Sequence, residues 1–267
     1  MTAPTLILLG YGGVDPAVAR VSHDLRAAIL DIRPELDIQV AFLDQGQPAG
    51  LSVVSKLVKR GVSEVVFVPL LLSEAFYAHA EVPALVAQVH SAFPQLQVIA
   101  SRPVGPEASL LAVVDRRLRQ ELKLRQVSEL DGLVFAAAGT TDLRSNAIVA
   151  RRARQWATHH KLPTVTAFAT GSGPTTAEAV RTLRSQGRRH IAVGSWYLAP
   201  ADLFARQAEL ALEAGAVAVS APLGAEPEIA AAALTRYVVA AMDLVDLGPA
   251  AVEDEPLPAR HLSVVGA

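Results

Sequence analysis

The chain has 267 residues, of which 51% are hydrophobic and 19% charged, enough apolar material for one large core or two small ones. Its net charge of −2 supplies no global basic field of the kind that holds nucleic acid. Cysteine is absent, which excludes a disulfide scaffold, a thiolate metal site and a cysteine nucleophile.

The N-terminus, Met1-Thr-Ala-Pro4, has no basic stretch and runs into a strand-like segment, so a signal peptide is not expected and a cytoplasmic location is. Short β-rich runs then recur at 6–9, 38–42, 64–68, 98–100, 133–136, 165–168, 191–194 and 217–219. They are continuous apolar runs, the pattern of parallel strands buried on both faces. Between them lie segments with helical periodicity. In 17–32, for example, Val18, Val21, Leu25 and Ile29 share one stripe, and Pro34 follows the end. Strand–helix alternation of this kind predicts βαβ units. The most apolar late stretch, 229–245, contains Arg236 and Asp243 and reads as a final amphipathic helix, not a membrane span.

The two halves align with each other. Leu6-Ile-Leu-Leu-Gly-Tyr-Gly-Gly-Val-Asp15 matches Leu133-Val-Phe-Ala-Ala-Ala-Gly-Thr-Thr-Asp142, and Ala41-Phe42 matches Ala167-Phe168. Gly61 matches Gly187, and Val68-Pro-Leu-Leu-Leu-Ser73 matches Gly194-Ser-Trp-Tyr-Leu-Ala199. Pro103-Val-Gly-Pro-Glu107 matches Pro222-Leu-Gly-Ala-Glu226. The matches keep their order, which points to a duplication. The expected fold is α/β, with two similar doubly wound parallel-sheet lobes facing a central cleft. An N-terminal lobe would span 1–128, a C-terminal lobe 129–243 and a mobile tail 244–267.

In open parallel sheets, ligands bind beyond the carboxyl ends of the strands. Two loops there carry the richest chemistry. Gly10-Tyr-Gly-Gly-Val-Asp15 follows the first strand, where Gly12 and Gly13 either cradle a ligand or simply make the turn into a helix. It is not a complete dinucleotide fingerprint, because Asp15 stands where the third glycine belongs. Ser73-Glu-Ala-Phe-Tyr-Ala-His-Ala-Glu81 follows the third strand. If extended, it sets Tyr77, His79 and Glu81 on one side, where they could bind a divalent metal or move protons. Alternatively, Glu81 only favours a helix N-terminus ahead of Val82-Pro83, and His79 is solvated. Thr170-Gly-Ser-Gly-Pro-Thr-Thr176 lacks a P-loop ending and reads as a helix cap. The arginines at 116, 117, 119, 151, 152, 154, 181, 184, 188 and 189 read as solvated helix faces. Arg102 and Arg144 follow strands, and from there they would point into the cleft to grip carboxylates or phosphates.

With these loops the chain resembles the class II tetrapyrrole chelatases of the CbiX/SirB type in their long, internally duplicated form. The resemblance rests on Gly-x-Gly after strand one, Ala41-Phe-Leu-Asp44, Val68-Pro-Leu-Leu-Leu-Ser73, Glu81-Val-Pro83, Arg102-Pro-Val-Gly-Pro106, Ala221-Pro-Leu-Gly224 and Arg236-Tyr237. It implies insertion of Fe or Co into sirohydrochlorin or a related tetrapyrrole. A divalent metal (Fe, Co or Ni) would be substrate and no organic cofactor would take part. The implied catalytic and metal-handling residues are Tyr11, His79 and Glu81. The implied substrate-binding residues are Gly12, Gly13, Ser73, Tyr77, Arg102, Thr140 and Arg144. The partners would be a tetrapyrrole and a divalent metal ion, with neither nucleic acid nor membrane, in a monomer or homodimer. Tyr11 and Tyr77 stand where the family carries histidines, and Ala138 and Leu203 occupy the matching places in the second half. A phenol with a pKa near ~10 is a poor proton acceptor. The same loops therefore also fit a chelatase homologue that carries a tetrapyrrole or metal, or regulates, without turnover.

Overall fold

The structure is a computed structural model that describes residues 3–44, 46–73 and 80–247. Two four-stranded, all-parallel sheets form its centre, in the orders β2-β1-β3-β4 and β6-β5-β7-β8. The first contains β1 (Thr5–Gly10), β2 (Ile38–Phe42), β3 (Glu64–Pro69) and β4 (Gln97–Ala100). The second contains β5 (Gly132–Ala137), β6 (Thr164–Phe168), β7 (Ile191–Trp196) and β8 (Ala218–Val219). The helices between them are α1 (Pro16–Ile32), α2 (Gly50–Lys59), α3 (Val82–Ala92), α4 (Leu111–Leu124), α5 (Leu143–His160), α6 (Thr176–Ser185), α7 (Asp202–Glu213) and α8 (Pro227–Leu247). The eight expected strands all form, and the twin α/β architecture is the one the alternating pattern predicts.

Strand periodicity divides the core into layers. Leu6 and Leu8 of β1 face one way and Ile7 and Leu9 the other, as alternation along a strand requires. The outer face of the first sheet packs under α2 and α3, with Val53, Val54, Leu57 and Val89 buried. The outer face of the second packs under α6 and α7, with Val180, Leu183 and Ala211 buried. The inner faces share one core that runs from Leu6 and Leu25 through Val113 and Phe135 to Trp156 and Trp196.

That shared core exists because the lobes exchange their last helices. α4, from the first half of the sequence, lies on β7 and β8 of the second sheet, and α8 lies on β3, β4 and α1 of the first. Tyr237 of α8 donates its hydroxyl to the Pro4 carbonyl at 2.8 Å, which fixes the helix to the opposite half. Each packed unit therefore contains a helix from the other side of the 128/129 boundary. Buried Leu244 and the run of α8 to Leu247 carry the helix past residue 244, where the tail was expected to begin.

Polar contacts reinforce the exchange. Arg116 pairs with Glu226 at 2.6 Å and Glu228 at 2.8 Å, and Arg117 pairs with Glu226 at 2.8 Å. Arg236 of α8 reaches Glu107 and donates to the Pro103 carbonyl at 2.9 Å. Arg152 of α5 donates to the Pro106 carbonyl through two nitrogens at 2.9 and 3.0 Å. Of these, Arg116, Arg117 and Arg152 were expected as solvated faces, and instead they bind the segments where the chain crosses between lobes. Sequence periodicity places them on exposed helix faces but does not reveal that another lobe covers those faces.

Candidate functional site

The carboxyl ends of both sheets open onto one cavity of about 480 Å³ between the lobes. Its volume falls within the range of small-molecule sites. One wall comes from the loops after β1 and β3, with Gly10, Tyr11, Gly12, Asp15 and Leu70 through Ser73. The facing wall comes from the loops after β5 and β7, with Ala137, Ala138, Gly139, Trp196 through Ala199 and Ala201 through Leu203. Val18, Val149 and Phe204 extend the apolar lining, and no described lining side chain is Lys, Arg or His. The N-termini of α1 and α7, with their partial positive charge, both abut this space through Asp15 and Asp202.

Local sequence explains these turns. Gly12 has φ +88°, a left-handed conformation that is costly for other residues and lets the chain reverse into α1 while Tyr11 faces the cavity. Asp15 caps α1, and Pro16 occupies its first turn. A Cβ on Gly13 would lie 2.3 Å from the Phe42 ring, so only glycine lets the loops after β1 and β2 close together. In the second half, Thr175 and Glu178 form a capping box at the start of α6, which confirms the capping role expected of the 170–176 segment.

Of the residues singled out in sequence, Tyr11, Gly12 and Ser73 line the cavity. Gly13 does not; its amide donates to the Asp44 carboxylate at 3.3 Å. Thr140 is not a lining residue either, and its amide donates to the Asn146 side chain at 3.1 Å. Arg102 and Arg144 are exposed and are not among the lining residues. Tyr77 and His79 lie outside the described residues.

Glu81 caps α3 in a helical conformation, φ −75° and ψ −38°, with no side-chain capping bond. The extended spacing considered for Tyr77, His79 and Glu81 therefore does not hold at Glu81. The helical turn has already begun there, and Pro83 in the first turn of α3 has no amide to leave unpaired. Glu81 is half-buried and not on the cavity wall. Burial and the neighbouring charge of Asp44 raise its carboxyl above the ordinary value. Asp44 itself accepts from the amides of Gly13 at 3.3 Å and Gly46 at 3.2 Å. Among the described residues, no group of three or more His, Asp or Glu gathers to hold a metal ion.

Sequence reasoning did not find three acidic residues at or beside the site: Asp15, Asp202 and Asp44. Asp15 was visible only as the residue that interrupts a glycine pattern. Asp44 stood inside a matched segment without a partner to mark it. The available signal for Asp202 was Ala201, a helix N-cap position with no capping side chain.

Two parallel-sheet lobes of this kind place the chain in the chelatase-like class of α/β folds. The CbiX family model matches residues 5–121 and 132–240, and the chain belongs to that family. Sirohydrochlorin cobaltochelatase of Priestia megaterium is 22% identical over 215 residues, covering 77% of this chain and 68% of that enzyme. Sirohydrochlorin ferrochelatase of Bacillus subtilis (strain 168) is 26% identical over 112 residues, covering 41% of this chain and 43% of its own length. The structure of SirB from Bacillus subtilis with Fe3+ superposes with a TM-score of 0.71 at 19% identity, covering 91% of this chain and 98% of that one. This last likeness concerns the fold. Among the described residues, no helix is long and apolar enough to cross a membrane.

Proposed function

We propose that the chain inserts Fe2+ or Co2+ into sirohydrochlorin or a closely related tetrapyrrole held in the cavity between the lobes. The observation that carries this reading is that cavity, placed in a CbiX-family chain at the facing strand ends. It has an apolar wall on each side and a titratable side chain, Tyr11, on the first wall. Flat apolar walls suit the faces of a macrocycle. Gly12 and Ser73, which line the cavity, are proposed to hold its carboxylates.

Insertion of a divalent ion releases two pyrrole protons, so the site needs acceptors near neutral pH. Glu81, which is not itself on the cavity wall, is proposed to take up protons passed on from the wall, because its raised carboxyl holds a proton more readily than an ordinary glutamate. Asp44 beside it adds a second negative charge that favours an approaching cation. Tyr11 and His79 complete the proposed set, and the part given to His79 rests on sequence alone. Anaerobic incubation of the protein with sirohydrochlorin and Fe2+, Co2+ or Ni2+ tests the proposal. It predicts a metal-dependent absorbance change faster than the protein-free rate, and no acceleration with any of the three ions would refute it.

A second reading, a carrier that binds pigment or metal without turnover, draws on one observation: the cavity residue of the first loop is Tyr11, not a histidine. It predicts saturable pigment binding without acceleration of insertion.

A further inference from the structure

The carboxylate of Asp15 serves two helices in opposite lobes. Its Oδ1 accepts the Ala17 amide at 2.8 Å and caps α1, while its Oδ2 accepts the Asp202 amide at 3.1 Å in the first turn of α7. The N-cap position of α7 is Ala201, whose methyl group offers no acceptor, so that helix takes its cap from across the cavity. The corresponding residue of the second half behaves differently. Asp142 spends Oδ1 on the Arg144 amide at 3.0 Å, and Oδ2 on the Ser145 amide at 3.3 Å and hydroxyl at 2.7 Å, all within its own helix.

The place of this bond in the fold gives it a mechanical meaning. Sheet order puts the crossing connections at the β4 and β8 edges, where Arg116, Arg117 and Arg236 tie the lobes together. β1 and β7 are interior strands; the loop after β7 starts beside the crossing segment, where the Tyr197 and Leu198 carbonyls accept from the Leu223 and Gly224 amides, and runs on to Asp202, which lines the cavity together with Asp15. The lobes are thus strongly joined on one side. Trp196 Nε1 donates to the Leu72 carbonyl at 3.1 Å close to the crossing segment, where the Gly105 amide donates to the Leu71 carbonyl, and the Asp15–Asp202 bond joins the lobes at the loops after β1 and β7.

We infer that Asp15 is a latch that sets the width of the cavity. The lobes open by rotation about the β4/β8 edge when its bond to the Asp202 amide parts, and they close when it re-forms. This inference does not depend on which ligand the cavity takes. Loss of one charge-assisted hydrogen bond shifts such an equilibrium by about tenfold.

Because the chain has no cysteine, Lys59→Cys on α2 and Arg181→Cys on α6, both exposed, can carry a pair of nitroxide labels, one on each lobe. Electron–electron distance measurement then reads lobe separation without any ligand. Asp202→Pro removes the amide hydrogen at a helix position that tolerates proline, whereas Asp202→Ala keeps it. Asp15→Ser keeps a cap on α1 with a side chain too short to reach α7. The expected result is a longer-distance population, increased about tenfold in Asp202→Pro and Asp15→Ser and unchanged in Asp202→Ala. Circular dichroism checks that each variant is folded; if Asp202→Pro is not, Asp15→Ser carries the test. An unchanged distribution in the folded latch variants, or equal opening in Asp202→Ala, would overturn the inference.

Discussion

Glu81 stands beside Asp44, and its burial together with that neighbouring charge lifts its carboxyl above the ordinary glutamate value. A carboxyl whose folded pKa exceeds its unfolded one holds its proton more tightly in the native state. The native state therefore loses stability as pH rises from the unfolded value through the folded one, and the cost is complete above that window. Glu81→Gln is expected to stabilise the protein at pH 7 by roughly 0.5 kcal/mol, the scale of a partly exposed charge interaction. Below about pH 4 the gain should vanish. Urea midpoints at the two pH values measure this, and equal midpoints for variant and wild type at pH 7 would contradict it.

Tyr11 occupies the cavity wall where the resemblance places a histidine. Imidazole accepts protons near neutral pH and phenol does not. If insertion is limited by proton removal there, Tyr11→His should raise the insertion rate by about tenfold or more, within the range of general-base contributions. It should also introduce a pH dependence centred near ~6.5, the ordinary histidine value. Initial rates between pH 5.5 and 8 provide the check, and an unchanged or lower rate would remove Tyr11 from the proton path.

The pairing of Glu226 with both Arg116 and Arg117 clamps the exchanged helix α4 to the loop ahead of α8. Arg116 is partly exposed, so each bond is modest, and the bidentate network matters more than any one contact. Glu226→Gln should lower unfolding stability by about 1 kcal/mol at low ionic strength and by clearly less in 1 M salt, where screening weakens the native pair. A loss independent of salt would mean that packing, not charge, holds this junction.

Gly194 of β7 faces the same exchanged helix. A Cβ there would lie 2.6 Å from the Trp156 ring and 2.9 Å from a Val114 methyl group. Neither ring nor helix can retreat cheaply in a filled core, so Gly194→Ala should cost roughly 1–3 kcal/mol. A lowered thermal midpoint with altered near-ultraviolet circular dichroism from Trp156 is the expected signature.

Most of the architecture was legible in the residues because buried parallel strands write themselves as unbroken apolar runs. Leu6 to Leu9 and Ile191 to Gly194 needed no tertiary information to be recognised. The exchange of α4 and α8 was not legible. An amphipathic stripe records that a helix covers a sheet but not which sheet, and Val113 or Ala233 would fit either. For the same reason, Arg116 looked solvated until Glu226 and Glu228 were brought to it from 110 and 112 residues away. The site divided along similar lines. Tyr11 and Gly12 were found because left-handed glycine turns at strand ends are local features. Asp15 was passed over because its second partner lies 187 residues along the chain. Arg102 and Arg144 were placed in the cleft on the strength of following strands, but the course of each turn decides where such a side chain goes, and both end up exposed.

The space between the lobes is the proposed seat of the tetrapyrrole. Ala138 lines that space, opposite the Tyr11 wall, and belongs to no proposed step of chemistry. Ala138→Trp would fill the cavity and leave the proton-handling groups in place. Titration of sirohydrochlorin into this variant, read by pigment absorbance alongside wild type, is the most direct test. Saturable binding to wild type and at least a tenfold weaker affinity in the folded variant are expected. Equal affinity in both would place the pigment elsewhere and rule out this cavity as its site.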